Sequence, residues 1–222
     1  MSRPEDNILR FFDTLVRSSC ERYDLAEDKE APSDLRIFAE ERLRKVTSTR
    51  CLPSPWPEPS LFDQVISRAE GLFVFINTIA LAIEESEDHP TERLEATLKD
   101  SDGTGSTVLY GLYSSILKTQ INHNTAKFRQ MIGALLTAAP HRSLCEATIA
   151  ELAGVRLDLV KMWVVKLSSL LYRDEAANGG IRARHLSISE FFLSDACHSD
   201  YRVNVQGANV ELGISCLETM IQ

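Results

Sequence analysis

The residues of this chain best placed to do chemistry lie in the run Arg182-Ala183-Arg184-His185-Leu186-Ser187-Ile188-Ser189-Glu190-Phe191-Phe192-Leu193. Asn178-Gly179-Gly180 just before it accepts the positive-φ positions of a tight hairpin, so the spacing predicts a short strand that ends at His185. Ser187 and Glu190 have the offset at which a hydroxyl and a carboxylate satisfy first-turn amides reciprocally, ahead of the apolar Phe191, Phe192 and Leu193. His185 then falls just outside a helix N-terminus, where unpaired N–H groups and the helix dipole favour an anion. Two readings stay open for it: a phosphate-sensing imidazole, or a partly buried strand residue bonded to a backbone carbonyl.

Other chemistries find less support. Gly103-x-Gly105 lacks the lysine and the preceding strand that a phosphate loop requires. A P-loop enzyme also needs a hydroxyl or carboxylate for magnesium, and the chain does not supply that set. The five cysteines, at 20, 51, 145, 197 and 216, are odd in number and widely spaced, which suggests neither a disulfide framework nor a thiolate zinc site and points to a reducing, cytoplasmic compartment. Cys197-His198 has no second pair at ligand spacing, so no metal site is expected. No Gly-x-Ser-x-Gly elbow marks a nucleophile, and no enzyme activity is expected.

These residues must be positioned by a fold, and 222 residues, of which 44% are hydrophobic, suffice for one fair-sized core or two small ones. The formal charge of −8 argues against broad binding to a phosphate backbone, which is largely electrostatic. The most apolar run, Leu72 to Ile83, is too short to span a bilayer, which takes about 20 residues, and Met1 to Asp6 does not open a signal peptide.

Taken in order, Ile8, Phe11, Phe12, Leu15 and Val16 form a helical stripe. After a charged connection holding Pro32, Asp34 is placed to cap a helix with Leu35, Phe38, Ala39, Leu43 and Val46 on its inner face. Pro53, Pro55, Pro57 and Pro59 exclude a helix and predict an ordered elbow anchored by Trp56. Helical spacing resumes at Leu61, Val65 and Ala69, and the Leu72 to Ile83 run reads as a buried helix. Thr91 to Leu98 is a short helix before a polar linker over 99–107. Val108, Leu109, Leu112, Tyr113, Ile116 and Leu117 form the next helix, and Phe128, Met131, Ile132, Leu135 and Leu136 another. A helix ending at Gly154, a helix with Leu159, Val160, Trp163, Val164 and Leu167 as its stripe, a strand over Leu170 to Arg173 and a second strand compose a winged helix-turn-helix pattern. Asn204 to Met220 closes the chain as a helix carrying Val210, Leu212, Ile214, Leu217 and Met220.

Several of these segments carry a resemblance. Arg184-His185-Leu186-Ser187-Ile188-Ser189-Glu190-Phe191-Phe192 resembles the segment that closes the winged-helix domain of fungal NACHT-type signalling NTPases, the STAND class of NLR-like and nephrocystin-like proteins. Ser2-Arg3-Pro4-Glu5 resembles the end of that family's sensor strand, and Arg68-Ala69-Glu70-Gly71-Leu72-Phe73 its turn beside the adenine. In that turn Glu70 stands where Gly is common and Phe73 where the wider class has Pro. Leu109 to Leu117 is similar to that family's helix just before the winged helix, and Leu212 to Met220 to its helix after the wing. The resemblance runs from Ser2 to Met220.

It implies a mainly α fold in two parts: a helical module over 1–120 that follows a NACHT core, and a winged-helix domain over 121–222 with a β-hairpin wing and a closing helix. Both Walker motifs would lie upstream of Met1. The implied role is a non-catalytic regulatory arm of a signal-transduction NTPase of innate immunity, folding over an ADP-bound core. His185 and Arg3 would then sense nucleotide, with Gly71, Leu72 and Phe73 on the adenine side; the cofactor, ADP or ATP, belongs to the full-length parent and none to this chain. The upstream core is the implied partner. Without it, the Ile8 to Val16 stripe and the Leu72 to Ile83 helix should be incompletely covered, leaving an apolar patch open to self-association or a protein partner. The alternative is a stand-alone protein-interaction module. Nucleic-acid binding is disfavoured, because the second helix of the pattern offers Asp158, Lys161 and Lys166 but no Arg, Asn or Gln for a bidentate base contact, although Arg173, Arg182 and Arg184 of the wing are suited to phosphate.

Overall fold

A computed structural model of the chain describes residues 31–100, 106–138, 143–175 and 179–221. The chain divides into Met1–Asp34 and Leu35–Gln222, and the architecture below belongs to the second unit. The boundary expected at residue 120 lies inside that unit. The stripe from Ile8 to Val16, Arg3 and Gly103-x-Gly105 lie outside the described residues.

The fold is mainly α. Helix α1 (Ala31–Thr49) buries Leu35, Ala39, Leu43 and Val46, the i, i+4 recurrence of one helical face. It starts earlier than the expected cap at Asp34, which instead lies in the first turn. There Pro32 costs nothing, since first-turn N–H groups have no intrahelical acceptor, and the helix dipole favours the carboxylate. The proline elbow is ordered around Trp56, whose indole N–H donates to Thr91 Oγ1 at 3.0 Å. Pro59 then opens α2 (Pro59–Ala69), where its fixed φ is preorganised for a helix.

A turn with two left-handed residues, Glu70 and Gly71, separates α2 from α3 (Phe73–Glu84). Helix α3 is covered along most of its length, and the incomplete cover expected for it is confined chiefly to its first turn. Phe75, Ile76, Thr78, Ile79, Ala80, Ala82 and Ile83 are all buried, because α2, α4 (Pro90–Asp100) and α5 (Ser106–Gln120) all pack on this helix. An all-round apolar helix thus becomes the centre of the helical module. Phe73, at its start, stays 41% exposed.

Helix α6 (Thr125–Ala138) leads to α7 (Glu146–Leu152), which ends at Gly154 with φ +61°. Next comes α8 (Leu157–Lys166), burying Val160, Trp163 and Val164. Strands β1 (Leu171–Asp174) and β2 (Gly180–Ala183) pair antiparallel, with Leu171 opposite Ala183 and Asp174 opposite Gly180. Gly179, at φ +72°, makes the turn. Helix–turn–helix followed by this hairpin is the predicted winged arrangement. It is completed by α9 (Leu186–Leu193) and α10 (Val205–Ile221).

Helix α9 links the aromatic cores of the two parts. Phe192 meets Phe128, which also contacts Trp163 at 5.5 Å and Tyr201 at 6.1 Å in edge-on geometry. Phe191 reaches the other way, to Tyr110 and Tyr113 of α5. Edge-on aromatic pairs of this kind add about 0.5–1.5 kcal/mol beyond their area. Helix α10 packs on α6 at a close approach, where a Cβ on Gly133 would stand 3.2 Å from Ala208. Three of the residues expected to close the core do not: Val210, Ile214 and Leu217 are exposed by 51–62%.

Candidate functional site

The site is built where β2 runs into α9, against α5. Val108, Leu109, Leu112, Tyr113, Ile116 and Leu117 recur at helical spacing, and all are buried, so α5 turns the Tyr113 ring inward. A buried phenol needs a partner for its hydroxyl. It finds one in Ser187, whose Oγ lies 2.8 Å away.

Ser187 does not cap α9. The cap is His185, in extended conformation (φ −148°, ψ 149°), and its Nδ1 accepts the Ser187 N–H at 3.2 Å. The helix therefore begins at Leu186, two residues ahead of what a Ser187–Glu190 capping box requires, and Ser187 falls in the first turn, buried. At that position its hydroxyl faces α5, where Tyr113 satisfies it. The same Oγ lies 2.7 Å from His185 Nδ1.

The reading of His185 as a partly buried strand residue bonded to a backbone carbonyl is not met. The strand stops at Ala183, Arg184 adds one more backbone bond to Leu170 O at 2.9 Å, and His185 is exposed at the end of the wing. Its ring is bonded to Ser187 through Nδ1, not to a backbone carbonyl. Leu186 beside it is 57% exposed.

The other predicted residues lie elsewhere. Gly71 and Leu72 form the α2–α3 turn, with Leu72 as the cap of α3, and the Phe73 ring meets that of Phe38 of α1 in a tilted contact, centroids 5.3 Å apart. A groove of about 960 Å³ between α6, α10 and the Gly154 turn contains none of the predicted residues. Its arginines are engaged locally, Arg129 with Ser199 O and Arg202 with the Asp195 carboxylate.

On the wing, Arg173 pairs with Glu146 and Arg182 with Asp174, while Arg184 donates to Ser168 O and lies over the Tyr172 ring. The outer side of α8 exposes Leu157, Met162 and Val165. Burial pushes the Cys197 thiol up to about 12, keeping it protonated. Among the described residues no group of three or more His, Cys, Asp or Glu is placed to hold a metal ion, and no helix is long and apolar enough to cross a membrane.

Sequence reasoning missed Tyr113, which reads only as a member of an apolar stripe. A tyrosine on a buried face signals that some polar partner exists, but not that it lies 74 residues away. Comparison with protein-family models, with curated proteins and with solved structures finds no match.

Proposed function

We propose that this chain is a non-catalytic regulatory arm of a NACHT-type NTPase, its wing–helix junction facing a nucleotide held by a separate core domain. The observation that carries the reading is His185 itself: an exposed imidazole at the start of α9, with Nδ1 occupied by Ser187 and Nε2 left for an outside partner. A helix N-terminus adds partial positive charge there. The exposed Leu186 beside it is suited to contact with a neighbouring domain.

One histidine does not hold a nucleotide alone. Micromolar affinity requires about 8 kcal/mol net, and one charge-assisted hydrogen bond contributes about 1.5–3 kcal/mol. Calorimetry with ADP tests the reading. The 222-residue chain should bind neither ADP nor ATP at micromolar concentration, whereas a protein with a NACHT core restored upstream should bind ADP, and less tightly after His185→Ala. Micromolar binding by the chain itself contradicts the reading; an unchanged affinity in the restored protein removes His185 from it. Arg3, Gly71, Leu72 and Phe73 enter the same proposal as residues whose nucleotide contacts would be made only in that larger protein.

A second reading, a protein-interaction module, is favoured by one observation. Val210, Ile214 and Leu217 recur at i, i+4 and i+7 along α10 and are all exposed. Nucleic-acid binding has the weakest support, since Arg173 and Arg182 are already paired with carboxylates and the outer face of α8 is partly apolar.

A further inference from the structure

We infer that Tyr113 and Ser187 are positioning residues that fix the imidazole of His185 in one tautomer, with the proton on Nε2 and directed outward. The inference deepens the proposed nucleotide-facing role of His185, but the tautomer is a property of this chain alone.

The His185 end of the hydrogen-bonded chain sets its direction. At the His185 end, the Ser187 backbone N–H lies 3.2 Å from Nδ1. A backbone N–H can only donate, so Nδ1 must present its lone pair and carries no proton. At the Tyr113 end the phenol is buried, and burial pushes its pKa up to about 12, so near neutrality it keeps its proton. Because Nδ1 is an acceptor, Ser187 O–H donates to it across 2.7 Å; that commits the hydroxyl's one proton, so across 2.8 Å Tyr113 O–H donates to Ser187 Oγ. With Nδ1 an acceptor twice over, the ring proton of neutral His185 resides on Nε2, since the bond made by one ring nitrogen sets the state of the other.

The consequence is chemical selectivity. In this tautomer His185 offers an N–H donor and no free lone pair, so it suits an acceptor such as a phosphate oxygen and not a metal ion, which needs the bare nitrogen. The bond also ties this choice to α5, because Tyr113 is part of that helix.

Long-range 15N–1H correlation spectra of the 222-residue chain, recorded above the histidine titration range, test the inference without nucleotide. The wild-type spectrum should show Nε2 as the protonated nitrogen and Nδ1 as the bare one, widely separated in shift. In Ser187→Ala only the longer backbone N–H contact still holds Nδ1 as acceptor, so the two shifts should move part of the way toward each other as the second tautomer becomes partly populated, and Ser187→Thr, which keeps the hydroxyl, should restore the separation. Tyr113→Phe, nearly isosteric, should give a smaller change of the same sign and decides the matter if Ser187→Ala fails to fold. A proton on Nδ1 in the wild type overturns the inference, and so does an unchanged separation in folded Tyr113→Phe and Ser187→Ala. Such a failure leaves the ADP measurements as they are, and a failure of those leaves the tautomer as it is.

Discussion

Glu84 closes α3 with both carboxylate oxygens on the Arg42 guanidinium, at 2.6 and 2.9 Å, whereas Glu85, the next residue, sits beside Ser168, Ser169 and Arg184 near the wing. The Arg42 hydrogen bonds hold the Glu84 carboxyl below its ordinary range, against the effect of burial. Lost hydration raises that of Glu85, with Ser168 and Arg184 opposing only in part, even though much of the residue's surface is exposed. The contrast extends to the regions around them. In the helical module, arginines satisfy the end of α3: Arg50 donates to the carbonyls of Ile83, Glu84, Ser86 and Asp88, a cationic cap at the negative pole of the helix. The wing region is held instead by aromatic packing around Phe128 and Trp163. One region should respond to charge and pH, the other to lost volume.

The largest effect is expected in the aromatic region. Trp163 is 1% exposed, and Trp163→Ala should cost about 3–5 kcal/mol through transfer and cavity terms, enough to unfold a marginal domain. Lys161→Ala, on the exposed side of the same helix, should stay within about 0.5 kcal/mol. Chemical denaturation of both variants checks the pair, and equal small costs would mean that packing does not dominate here.

In the charged region, Arg42→Ala should cost about 1.5–3 kcal/mol, the range for hydrogen bonds to a charged group, since both partners are largely buried. Stability against pH sharpens the comparison. Glu84 has a folded pKa below its ordinary 4.5, so its contribution is complete above that value and is lost as pH falls through the lower, folded one. Glu85 is raised above 4.5, so its charged form disfavours folding once pH exceeds that raised value, and the penalty disappears in acid. Glu84→Gln should therefore flatten the acid limb of the wild-type profile, while Glu85→Gln should favour the folded state more near neutrality than in acid. Shifts of the same sign in both variants would contradict the assignment.

The smallest effect belongs to α10. Val210→Ser and Ile214→Ser alter exposed positions and should each change stability by no more than about 0.5 kcal/mol. A loss of several kcal/mol from either, in thermal or chemical unfolding, would place those residues in a packed core.

Periodicity reveals most of the helices, because the faces of α1, α5, α6 and α8 repeat apolar residues at helical spacing and nothing competes with that signal. The hairpin follows from Gly179 and Gly180. What periodicity does not carry is which neighbour covers which face. Helix α3 is apolar all round, which shows that it is buried, but its cover comes from three separate helices that its own sequence does not identify. Helix α10 has apolar residues enough to suggest a closing role, yet it meets α6 through small residues, Gly133 against Ala208. At the candidate site, the Ser187–Glu190 spacing indicates a helix start that lies two residues late, since the cap is His185. The hydroxyl's true partner, Tyr113, depends on tertiary packing that brings α5 and α9 together.

That contact is also where the charged and aromatic regions meet, and a double-mutant cycle measures it. Tyr113→Phe, Ser187→Ala and the double variant should show a coupling of about 1 kcal/mol in unfolding free energy, as expected for one buried hydrogen bond. Strictly additive costs would contradict the claim that the wing–helix junction is fastened to α5 through Tyr113 and Ser187.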